Sequence, residues 1–150
     1  MQDMKQQNSD SASPVEKKIV LPAELPRVAE AIGFVEDTLT EGGCPQPVVF
    51  KMNIVTDEIF SNICKFAYPD GSGNAVIRAS VDVAAKKARL IFSDSGVDFD
   101  PLGRERPDTA LPAEERPVGG LGILMVRKMM DEVSYERRGG ENILTLVKNF

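Results

Sequence analysis

"TDEIFSNICKFAY", residues 56 to 68, decides how this chain folds. Together with Val55, the residues Ile59, Ile63 and Phe66 recur at helical spacing and form a stripe that must be buried. Glu58 and Asn62 stand four residues apart, one turn from each other, and they border that stripe. Packing alone gives a carboxylate and an amide little reason to sit at the margin of a core. Working outward, Val48 and Met52 extend the stripe toward the N-terminus. Pro45 and Pro47 open the helix and Pro69-Asp70-Gly71 closes it, so the pattern predicts a helix over about residues 45 to 68.

Upstream, Leu25, Val28, Ala29, Ile32, Val35 and Leu39 predict a second helix from about residue 25 to 41, stopped by Gly42-Gly43. Before it, "KKIVLPA" reads as a short strand, and the polar residues 1 to 16 read as a disordered tail, leaving 17 to 150 as one domain. Downstream, "NAVIRASVDV" alternates with Ile77, Ala79, Val81 and Val83 on one side; with "KARLIFSD" it predicts a hairpin across Ala84-Ala85-Lys86. Residues 97 to 118 have no period and contain Pro101, Pro107, Pro112 and Pro117, which suggests a lid. A Gly-rich turn then feeds the apolar helix "GGLGILMVRKMMDEV". Two closing strands, "VSYERR" and "NILTLVK", are joined at Gly139-Gly140-Glu141. This order predicts an α+β two-layer sandwich: a mixed, mostly antiparallel sheet of about five strands with helices on one face.

The composition excludes several functions. A chain of 150 residues with 42% hydrophobic and 27% charged residues can build one real core. The net charge of −5 disfavours direct nucleic-acid or anionic-membrane binding. No apolar run approaches the roughly 20 residues of a membrane span, and the N-terminus has no secretion-signal pattern, so a cytoplasmic protein is expected. Cys44 and Cys64 are expected to be reduced thiols. The absence of histidine rules out a Ser-His-Asp triad and a His-containing zinc site, so a general base must be Asp, Glu, Lys, Tyr or Cys.

Three constellations could carry chemistry. Glu58 could serve as a base and the Asn62 amide oxygen suits Mg²⁺, with Lys65 one turn on to reach a phosphate; such residues are also ordinary on a helix surface. In "IFSDSGVDFDP", Asp94 ends a strand and Gly96 lets a ligand approach the backbone. A carboxylate there can accept from an adenine amino group, although Asp and Gly are also common turn residues. In "VGGLGILMV", Gly119, Gly120 and Gly122 precede a helix, where exposed N–H groups suit phosphate. This is neither GxGxxG nor a P-loop, and a plain hinge reads the same way.

Taken together and in this order, the three resemble the Bergerat ATP-binding fold shared by gyrase, MutL and sensor histidine kinases. Glu58-x-x-x-Asn62 resembles its N box, "DSG" at 94 to 96 its G1 box and "GGLGI" at 119 to 123, with Leu121 inside it, its G2 box. Thr145 resembles the Thr or Ser that backs the adenine-binding Asp in these folds. Within the superfamily, "DSGVDFDP" and "GLGILMVRKMMDEVSYER" are most similar to the small anti-sigma-factor serine/threonine kinases, over about residues 17 to 150. One residue departs from that pattern: Phe66 stands where the family commonly has histidine, which bears on phosphate contacts in that corner.

The resemblance implies ATP and Mg²⁺ as ligands, Asn62 as the Mg²⁺ ligand and Glu58 as the group that activates the attacking hydroxyl. It also implies an anti-sigma-factor antagonist as the phosphorylated protein, a sigma factor as the sequestered one, and a homodimer. Two other readings stay open. One is a non-catalytic, ATP-dependent interaction switch; the other is a detached catalytic domain of a histidine kinase.

Overall fold

The computed structural model describes residues 14–98 and 120–150. It contains five strands, β1 (Val15–Pro22), β2 (Asn74–Asp82), β3 (Lys87–Asp94), β4 (Glu132–Arg138) and β5 (Glu141–Asn149), and three helices, α1 (Val28–Glu41), α2 (Gln46–Phe66) and α3 (Gly120–Met129). The strand order is β1-β2-β3-β5-β4 and every pairing is antiparallel. The expected α+β sandwich is what forms. The expected lid falls almost wholly outside the described residues.

Alternation determines which face of the sheet the helices cover. Ile77, Ala79 and Val81 of β2, Leu90 and Phe92 of β3, and Leu144 and Leu146 of β5 point to one side and are buried. There they meet Ala31, Val35 and Leu39 of α1, and Val49, Met52, Val55, Ile59 and Phe60 of α2. The stripe read in the sequence is therefore the helix layer's contribution to the core.

Local chemistry explains the element ends. The β4–β5 hairpin turns on Gly139 and Gly140, at φ +61 and +80. Two successive positive φ values are what a two-residue turn of the I′ kind needs. Leu25–Arg27 forms a 3-10 turn, with Pro26 inside it, before α1 proper. β1 begins at Val15, within the stretch expected to be tail, because Val15 pairs with Val81 and Glu16 with Ser80.

Both cysteines are free thiols, as expected. Burial pushes Cys44 and Cys64 up to about 11. At pH 8 roughly one thiol in a thousand is then the reactive thiolate. We expect native protein to react slowly with a disulfide reagent and denatured protein to release both thiols at once; fast native reaction of either would contradict this.

Candidate nucleotide site

The site gathers where the C-terminal half of α2, the end of β3, the start of α3 and the start of β5 converge. On α2, Asn62 is buried at 6% exposure and donates from Nδ2 to Glu58 Oε2 at 3.1 Å. Because the amide's N–H is committed to Glu58, its oxygen points elsewhere. Lys65 lies exposed on the last turn of the same helix.

α3 meets this pair through a glycine. A Cβ on Gly122 would overlap the Glu58 carboxylate, so the backbone at the start of α3 lies directly against that side chain. Only a residue without a side chain fits there unless Glu58 moves. Gly120 and Leu121 form the first residues of α3, and Gly119 lies outside the described residues. The third sequence constellation thus lies against the first.

The turn after β3 is fastened to the end of α2. The Val97 N–H donates to the Ala67 carbonyl at 2.8 Å. A Cβ on Gly96 would overlap that same carbonyl. The Tyr68 hydroxyl accepts from the Ser95 N–H at 2.9 Å and donates to the Asn74 carbonyl at 2.6 Å. Burial holds the Tyr68 phenol above its ordinary value, the Ser95 N–H works against this, and the nearby Asp94 charge adds to it.

Asp94 is buried at 7% exposure. Its Oδ1 accepts from the Gly96 N–H at 2.8 Å and from Asn142 Nδ2 at 2.9 Å. Such bonds explain how a carboxylate is tolerated at that depth.

Thr145 does not join this cluster, and that expectation is corrected. In the β3–β5 register Thr145 lies opposite Ile91, while Asn142 lies opposite Asp94. Thr145 is three residues from Asn142, an odd offset, so its side chain leaves the sheet on the other face. The residue that backs Asp94 is Asn142. The signal was present in the sequence, since Asn142 shares its parity with the inward Leu144 and Leu146.

Comparison with known proteins bears on the fold and the family. Residues 21–148 match the family model described as histidine kinase-like ATPase domain. The serine/threonine-protein kinase BtrW of Bordetella bronchiseptica is 30% identical over 100 residues, covering 67% of this chain and 70% of that protein. The serine-protein kinase RsbW of Staphylococcus aureus is 23% identical over 137 residues, 85% of each chain. Among solved structures, the RsbU and RsbW domains of Rv1364c from Mycobacterium tuberculosis superpose with a TM-score of 0.61 at 17% identity, over 89% of this chain. This chain spans about a third of that protein, 32%, so the superposition bears on the fold alone. With the family model matching most of its length, the chain belongs to the histidine kinase-like ATPase domain family.

Proposed function

We propose that this chain is an ATP-dependent protein serine/threonine kinase. In this reading it phosphorylates an anti-sigma-factor antagonist, holds a sigma factor, and works in the cytoplasm as a homodimer. The kinase reading draws on the relatives named above, and the sigma-factor circuit on the sequence resemblance. Among the described residues no helix is long and apolar enough to cross a membrane.

The observation that carries the reading is the Glu58–Asn62 hydrogen bond lying against Gly122. It sets a carboxylate and an amide where helix-start N–H groups can receive phosphate. Glu58 takes the proton of the attacking hydroxyl. The Asn62 oxygen, left over once its N–H meets Glu58, is a hard ligand that fits Mg²⁺. Among the described residues no group of three or more His, Cys, Asp or Glu could hold a metal. One protein oxygen plus the nucleotide's phosphates is an ordinary Mg²⁺ arrangement. When bound, the metal neutralises charge on the phosphates.

The experiment is a titration of ATP and GTP with Mg²⁺, alongside transfer of labelled γ-phosphate to candidate antagonists. Adenine-selective binding with transfer supports the kinase. Partner binding that depends on ATP without transfer selects the switch instead, and no ATP binding sinks both.

Asp94→Asn offers a sharper arm. The Gly96 N–H and the Asn142 amide both point at Oδ1. In the variant these two donors hold the new amide's oxygen, so its NH₂ faces the base. That group opposes an adenine amino group and suits a guanine carbonyl. We expect ATP affinity to fall and the ATP-over-GTP preference to shrink by roughly tenfold or more. An unchanged preference would remove Asp94 from base recognition.

A further inference from the structure

The side chains that hold Asp94 come from the far edge of the sheet. Asn142 uses its amide fully. Nδ2 donates to Asp94 Oδ1 at 2.9 Å and to the Val97 carbonyl at 2.8 Å. Oδ1 accepts from the Tyr135 hydroxyl at 2.6 Å and from Arg137 Nη1 at 3.0 Å. Two donors and two acceptor positions are all that an amide has. A flipped amide would face its oxygen toward Asp94 and the Val97 carbonyl, and its N–H groups toward a guanidinium, so one orientation is fixed. Arg137 also donates to the Gly96 carbonyl at 2.9 Å, holding the turn that follows Asp94. The Tyr135 hydroxyl also lies 3.2 Å from Asp98 Oδ1, but it has one proton and the Asn142 contact is the shorter.

The consequence falls on Asp94. Its Oδ1 takes two donors, and among the described residues no hydrogen bond ends on Oδ2. We propose that Asn142, locked by Tyr135 and Arg137 of edge strand β4, is the positioning residue for base selection. It occupies one oxygen of Asp94 and so presents the other to the exocyclic amino group of adenine. The inference rests on the adenine-site reading of Asp94 given above. It adds that selectivity is set by β4, which the three sequence constellations do not touch.

Why should positioning matter for selectivity and not only for folding? A carboxylate free to swing can turn away from a guanine carbonyl and tolerate it. A carboxylate held by one oxygen cannot, so it rewards the amino group and repels the carbonyl. Loosening Asp94 therefore lowers ATP affinity more than GTP affinity. A purely structural role would lower both together.

The test uses the full chain with Mg²⁺ and three nucleotides: ATP, GTP and purine riboside triphosphate, which lacks the amino group. Wild type, Asn142→Leu and Tyr135→Phe are compared, each with a melting curve taken without nucleotide. For wild type we expect ATP to bind about ten- to a hundredfold more tightly than the other two, the worth of one charge-assisted hydrogen bond. Asn142→Leu should cut that preference at least about fivefold. Tyr135→Phe, which keeps Asn142 and removes only its shortest restraint, should cut it less but in the same direction. A wild type with no preference overturns the adenine reading and this inference with it. A wild type with the preference, retained in both variants, overturns this inference alone. A parallel loss of all three affinities in Tyr135→Phe would do the same, and because that variant removes a single oxygen it answers even if Asn142→Leu fails to fold.

Discussion

Glu58→Gln should abolish most phosphoryl transfer while leaving nucleotide affinity close to wild type. Loss of a general base typically costs on the order of 10²–10⁴ in rate. The choice of Gln over Ala follows from the geometry. Glu58 Oε2 accepts the Asn62 N–H at 3.1 Å, and that bond turns the amide oxygen away from Glu58. A glutamine can still accept the bond but cannot take a proton. Glu58→Ala loses both functions, so it should add a weakening of Mg²⁺-dependent ATP binding to the same loss of rate. Asn62→Ala should weaken Mg²⁺-dependent binding most directly. Measuring transfer and affinity for all three separates base from orienter. Wild-type transfer by Glu58→Gln would show that the base lies elsewhere. In the function proposed above, partner binding should survive Glu58→Gln, giving a variant that holds its partner and cannot be switched by phosphorylating the antagonist.

Among the described glycines, Gly96→Ala should be the most damaging addition of a single methyl group. The added carbon would overlap the Ala67 carbonyl, which is backbone and already accepts the Val97 N–H at 2.8 Å. Neither side can yield without parting the β3 turn from α2. Overpacking of this kind costs about 1–3 kcal/mol, or roughly 2–4 °C of melting temperature per kcal/mol in a chain of this size. The shift also moves the Gly96 N–H, now 2.8 Å from Asp94 Oδ1, so ATP affinity should fall along with stability. The same substitution at Gly33 supplies the opposite sign. Gly33 lies inside α1 with nothing within 4 Å of an added Cβ, and alanine in a helix gains up to about 1 kcal/mol over glycine. Melting curves for both variants, with ATP titrations, test the pair. A Gly96→Ala protein that melts and binds like wild type would mean the turn has slack that this packing denies.

The parts of this structure that were legible in the sequence are those where one force dominates. The ends of β3 were readable because alternation stops where Asp94-Ser95-Gly96 begins. The helix α2 was readable because its apolar stripe runs unbroken between proline punctuation. Glu58, Asn62, Asp94 and Gly122 could be proposed because each sits next to such a pattern and conflicts with it. Thr145 was misassigned because a hydroxyl was sought by type, whereas a strand residue's partners are set by parity. Tyr135 carried a signal, since Val133 and Tyr135 alternate with Ser134 and Glu136 and pack against the core. Arg137 had none: β4 lies at the edge of the sheet with most of its residues exposed, and Arg137 is as polar as Glu136 and Arg138 beside it. The start of β1 was hidden for a similar reason, with charged residues on a strand paired on one side only.

β4 has one further property: outside its pairing with β5, its backbone edge has no neighbouring strand among the described residues. The side chains of Tyr135 and Arg137 project from that strand into the network around Asp94. Any molecule that binds this edge and shifts either residue changes how firmly Asp94 is held. Linkage then makes the effect reciprocal: nucleotide binding alters the affinity of that edge for its ligand by the same factor. The two events exchange free energy through four side chains, without movement of a helix or of the sheet as a whole.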